Sequence, residues 1–140
     1  MKEIRSGRLL RLAAYLDKIP PRKFDFSSVW RPTECGSVGC AIGYTPKVFP
    51  NLIKRKRCDT YQNRIYYHIC IDNEVIDFVT AGMKLFNLSS SESECLFSSF
   101  QTVMPWNTKI VTEDATPKEV AESIRNFVKW RRNNPEWMRY

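Results

Sequence analysis

The chain has 140 residues, 43% of them hydrophobic and 26% charged, with a formal net charge of +7. That length supports one domain with a real core, and the composition is too apolar for wholesale disorder. No apolar run approaches the ~18 residues of a membrane span, and Leu9 and Leu10 are followed by Arg11 without the apolar block of a signal peptide, so a cytoplasmic protein with no membrane partner is expected.

The five cysteines, Cys35, Cys40, Cys58, Cys70 and Cys95, are odd in number. A secreted disulfide scaffold is usually shorter and evenly paired, so reduced, buried thiols are expected. In chain order, Ser6 to Ile19 reads as a helix. Leu9, Leu12, Ala13, Leu16 and Ile19 fall on one stripe, Ser6 is placed to cap it, and Pro20-Pro21 ends it. Phe24, Phe26 and Trp30 then form an aromatic connector laid on the core.

The segment Cys35-Gly36-Ser37-Val38-Gly39-Cys40-Ala41-Ile42-Gly43-Tyr44 is rich in small residues. Its spacing puts glycines on one helical face, so a helix with a close neighbour is expected there. Thr45-Pro46 reads as a cap and first-turn proline of a short helix running toward Phe49. Ile65, Tyr67, Ile69 and Ile71 alternate with Tyr66, His68 and Cys70, the period of a strand. Leu52 to Cys58, which carries Lys54-Arg55-Lys56-Arg57, is its expected hairpin partner. A lone hairpin is marginal, so it must pack on the helices or on another copy of the chain, which leaves a homo-oligomer open.

From Val75 to Phe86 the pattern is helical, with Val75, Val79, Met83 and Phe86 on one side. Ser89 with Glu92, and Thr116-Pro117 with Glu119, are capping boxes that open two further helices. The second continues as a stripe of Val120, Ile124, Phe127, Val128 and Arg131. Residues 1–132 thus form one α+β domain, mostly helical, with one small β-hairpin or short antiparallel sheet. Residues 133–140 are an aromatic and basic tail, loose or docked on a partner.

The order of motifs resembles a family of small, largely uncharacterised proteins encoded by bacteria and bacteriophages. The resemblance is carried by the Cys-Gly-[Ser/Thr]-x-x-Cys-x-x-Gly pattern at Cys35 to Gly43 and by the upstream helix and Trp30. It continues in Leu85-Phe86-Asn87-Leu88-Ser89, in the Glu-containing helix ending Leu96-Phe97, and in the closing Thr-Pro-x-Glu helix. It covers most of the chain and implies a bacterial or phage setting. Asn87 stands where the family has glycine, and Tyr44-Thr45 replaces a commoner His-Ala.

Three chemistries fit these residues. Glycine-rich backbone at a helix start is an anion site. Gly36, Ser37, Gly39 and Gly43 would form it, Lys54, Arg55, Arg57 and Arg64 would supply cations, and Trp30 or Tyr44 would stack on a ring. A phage-type protein that sequesters an anionic, nucleotide-like ligand without turnover is the leading expectation, a host immune signal being one such ligand by analogy. It would need no cofactor, and more readily fits a binder than an enzyme.

A nucleic-acid-binding protein is the first alternative, from the charge, the Lys54 to Arg57 run and the nearby Tyr61, Tyr66 and Tyr67. A cysteine-dependent hydrolase is the second. Cys35 or Cys40 near a helix N-terminus would be the nucleophile and His68 the base, with Asp72 or Asp77 to orient it. Without a Cys-x-x-Cys pair, no metal site is expected.

Overall fold

The computed structural model describes residues 3–25, 30–33, 36–59, 65–99 and 102–137, with 30–33, 36–39, 58–59 and 65–66 described by their backbone. Helix α1 spans Ser6–Leu16 and buries Leu9, Leu12, Ala13 and Leu16 completely. Ser6 is not its cap. Arg5 holds that position with no side-chain cap bond, and its N–H donates instead to the Phe86 carbonyl at 2.8 Å. The helix also stops short of Ile19. The Lys18 and Ile19 N–H groups turn back three residues, to Tyr15 and Leu16, and Pro21–Lys23 follows as a 3-10 turn. Phe24 lies on the core, whereas Phe26 falls outside the described residues.

The glycine-rich segment does not form the expected helix. Strand β1, Trp30–Thr33, pairs antiparallel with β2, Gly36–Gly39, in the register Trp30↔Gly39 to Thr33↔Gly36. Glycine weakens helix and strand alike, by about 0.5–1 kcal/mol per residue relative to alanine, so propensity leaves the choice to tertiary pairing. With a strand alongside, the extended form wins. Helical backbone begins only at Ala41, in the 3-10 turn Ile42–Tyr44, and continues as the one-turn helix α2, Thr45–Val48. Tyr44 stands at its cap and Pro46 in its first turn. Thr45 is its first residue, not its cap, and the Thr45 hydroxyl donates back to the Ile42 carbonyl at 2.5 Å.

The expected hairpin is present as β3, Lys54–Asp59, against β4, Ile65–Ile71, with Lys56 opposite His68. A further strand, β5, Glu74–Ile76, extends it to three strands in the order β3-β4-β5. Asp72 and Asn73 make the turn, at φ 52° and 65°, the left-handed pair that a two-residue hairpin requires. The helix expected from Val75 therefore starts later, as α3, Phe78–Phe86, where the Asp77 carboxylate accepts the Thr80 N–H at 2.7 Å. Its buried stripe is Ala81, Gly82, Leu85 and Phe86, while Val75 and Met83 are exposed.

Asn87 closes α3 at φ 55°. It thus takes the left-handed conformation for which glycine is the usual residue and asparagine the commonest substitute. Helix α4, Ser90–Phe97, and helix α5, Pro117–Arg132, both open on complete capping boxes, Ser89 with Glu92 and Thr116 with Glu119. All five residues of the expected α5 stripe are buried. Leu9, Leu12, Leu16, Phe86, Ile124 and Phe127 fill the centre of the core, where α1 lies along α5 and α3 packs on α4.

The stripe ends in Arg131, whose Nε donates to Glu92 Oε2 at 2.7 Å, while Oε1 of the same carboxylate serves the α4 cap. Of the tail, Trp137 packs edge-to-face on Trp106 and Trp130, at ring-centroid distances of 5.2 and 5.1 Å. The result is a single α+β domain, mostly helical, whose described residues also form a two-stranded and a three-stranded antiparallel sheet. Among the described residues, no helix is long and apolar enough to cross a membrane.

Candidate functional site

Just after α1 the chain reverses over Pro20 and Pro21, which carries Lys18 and Lys23 to either side of one corner. Helix α2, packed against α1, brings Tyr44 and Lys47 to the same corner. Between them lies a cavity of about 400 Å³, lined by Tyr15, Lys18, Ile19, Pro20, Lys23, Tyr44 and Lys47. Small-ligand pockets usually occupy about 300–1,000 Å³.

The wall of the cavity is fixed by Tyr44. Its ring is buried and stands 6.1 Å from that of Tyr15, centroid to centroid, tilted by 44°. Its hydroxyl donates to the Lys23 carbonyl and so ties the 3-10 turn to the start of α2. Burial, assisted by Tyr15, pushes the Tyr44 phenol up to about 12, against a smaller pull from Arg55. Arg55 is half-buried and donates to the Gly43 carbonyl at 3.4 Å. Burial holds its guanidinium below the usual arginine range, and Tyr44, Tyr67 and Tyr15 oppose that shift. Arg11 backs α2 from the other side, over the Phe49 ring and on the Val48 carbonyl.

Of the residues expected at a binding site, the structure brings Tyr44 to the cavity and Gly43 with Arg55 behind it. Gly36, Ser37 and Gly39 lie in β2 and Trp30 in β1, so the helix start that was to hold an anion is replaced by strand pairing. Lys54, Lys56 and Arg57 are exposed on β3. Arg64 and Cys35 fall outside the described residues.

Cys40 is 5% exposed, and its sulfur accepts the Gly43 N–H at 3.4 Å. Burial pushes this thiol up to about 11, the direction opposite to activation of a nucleophile. His68 is exposed on β4 across from Lys56.

Tyr15, Lys18, Lys23 and Lys47 were not singled out in the sequence. Their one local signal is a pair of lysines flanking Pro20-Pro21. Chemically the lining offers ammonium groups and phenol rings. Ammonium groups of this kind can pair with an anion, and the partly exposed Tyr15 ring can stack on a planar group. Compared with known protein families, curated proteins and solved structures, the chain matches none.

Proposed function

We propose that this protein binds a small anionic, nucleotide-like ligand in the Tyr15–Tyr44 cavity and holds it without turnover. The observation that carries this reading is the convergence of Lys18, Lys23 and Lys47 on a cavity walled by two tyrosines. Three ammonium groups attract phosphate oxygens, and the partly exposed Tyr15 ring offers an apolar face to a base. The chain's formal charge of +7 adds a long-range pull on anions. In the phage setting that the resemblance implies, the corresponding role is to withhold a nucleotide signal of host immunity from its receptor.

Native mass spectrometry of the purified protein, with and without added ATP, tests the reading. A one-to-one adduct is expected for the native chain, and its loss in Lys23→Glu and Lys47→Glu at unchanged circular dichroism. Adducts of equal strength in all three would sink it.

A second reading has its own observation. Lys54, Lys56 and His68 are exposed on neighbouring strands, a basic stripe able to follow a phosphate backbone. A salt-sensitive gel shift that Lys54→Glu with Lys56→Glu removes, and Lys47→Glu does not, would favour nucleic acid over the cavity ligand.

A further inference from the structure

Resting on the reading of the cavity as a nucleotide site, we infer that it takes the end of a short single-stranded oligonucleotide, whose further phosphates run along α1 over Arg11, Arg8 and Arg5. The ligand is thereby extended from one nucleotide to several.

Arg5, Arg8, Arg11, Tyr15 and Lys18 follow one another at steps of three and four residues, which sets them along one side of α1. The contacts of that side run in the same order. The Arg5 N–H donates to the Phe86 carbonyl, Arg8 Nη1 to the Leu85 carbonyl at 2.9 Å, and Arg11 Nη2 to the Val48 carbonyl at 3.2 Å. Tyr15 then meets Tyr44 at the cavity, which Lys18 also lines. The guanidiniums of Arg8 and Arg11 are each pinned through one of their several N–H donors. Arg5 and Arg11 are exposed and Arg8 is partly exposed, so the stripe is open to a ligand.

This placement is not what a helix needs for itself. Cations in the first turn oppose the helix dipole, and α1 has no acidic residue there. Burial, and then the charges of Arg5 and Arg11, hold the Arg8 guanidinium below the usual arginine range, so the three lie close enough to repel. Asp17, the one acid between Arg5 and Lys18, is held by Arg125 of α5. Among the described residues no carboxylate pairs with the three arginines. Guanidinium forks suit phosphate oxygens, and a row of them suits a row of phosphates. From Arg5 to Tyr15 the helix rises about 15 Å, the reach of a short single strand rather than of one nucleotide.

Isothermal titration of the full chain with ATP and with oligoadenylates of two, three and four nucleotides, across a range of salt, tests this. Affinity should rise about threefold with each added nucleotide at low salt. The slope of log K against log salt should steepen by about 0.7 per added phosphate. Arg5→Gln removes no side-chain cap bond, and should lower the tetranucleotide's slope by about 0.7 at the melting temperature of wild type. Arg8→Gln should do the same, with its melt recorded because the Leu85 bond goes too. A tetranucleotide bound no tighter than a dinucleotide, polyglutamate bound as tightly as the tetranucleotide, or an unchanged slope in Arg5→Gln would overturn the inference. So would a length dependence lost in Lys54→Glu with Lys56→Glu and kept in Arg5→Gln. Each of these leaves ATP binding, and with it the cavity reading, in place. Absence of binding by ATP and by every oligoadenylate would overturn both together.

Discussion

Cys40 accepts the Gly43 N–H and lies among Ala41, Ile42 and the rest of the core, and this surrounding sets its acidity. A thiol raised from 9.0 to about 11 holds its proton in the folded chain over a range where the unfolded chain has lost it. Its contribution to stability is therefore full below pH 9 and is lost as pH rises from 9 toward 11. Denaturant melts across that range should show wild type losing more stability than Cys40→Ala, and iodoacetamide at neutral pH should leave Cys40 unlabelled until the chain unfolds. Equal pH slopes for the two proteins would contradict the assignment.

Gly82 makes a different point at the same scale. A Cβ built there falls 2.0 Å from the Ser93 hydroxyl, which is itself bonded to the Val79 carbonyl. Gly82→Ala should cost about 1–3 kcal/mol through overpacking of α3 on α4, despite its better helix propensity. A thermal melt at or above that of wild type would refute it.

At the level of elements, what could be read from the sequence is what local chemistry decides. The capping boxes at Ser89 and Thr116 close on groups three residues away, and the α5 stripe repeats within one segment, so neither depends on distant chain. The β3-β4 hairpin was legible for the same reason. The strand Gly36–Gly39 was not. Its choice of strand depends on pairing with Trp30–Thr33, which helical spacing of small residues does not reveal.

The β4-β5 hairpin was missed because Asp72-Asn73 lacks the glycine that usually announces such a turn, although asparagine and aspartate also accept left-handed backbone. Asn73→Gly should accordingly match or exceed wild-type stability in urea. Asn73→Val should lose about 1–2 kcal/mol, the cost of left-handed backbone for an ordinary side chain. Equal midpoints for the two variants would argue against the turn.

At the scale of the whole molecule, a buried ion pair joins two helices distant in sequence. Glu92 is fully buried and Arg131 nearly so, and the carboxylate divides its oxygens between the guanidinium and the cap of its own helix. Removing one partner leaves a charge in the core. Arg131→Met should therefore cost about 3–5 kcal/mol, and much of that should return when Glu92→Met is added. A double variant no more stable than Arg131→Met would show that the pair is not what the loss measures. The candidate cavity belongs to this scale too. Lys18 and Lys23 are linked in the sequence only by flanking Pro20-Pro21, and it takes the packing of α1 against α2 to bring Lys47 to them, so charge counting along the chain drew attention to Lys54–Arg57 instead.

The cluster of Trp106, Trp130 and Trp137 holds three of the chain's four tryptophans, with Trp106 also donating its indole N–H to Ser123. The protein's native fluorescence is therefore weighted toward the place where Trp137 closes on Trp106 and Trp130, and none of these three indoles lines the lysine cavity. Shortening the chain before Trp137 should shift emission to the red by opening Trp106 to water, while leaving nucleotide titrations unchanged. Light from these three indoles is a gauge of how Trp137 is seated against Trp106 and Trp130.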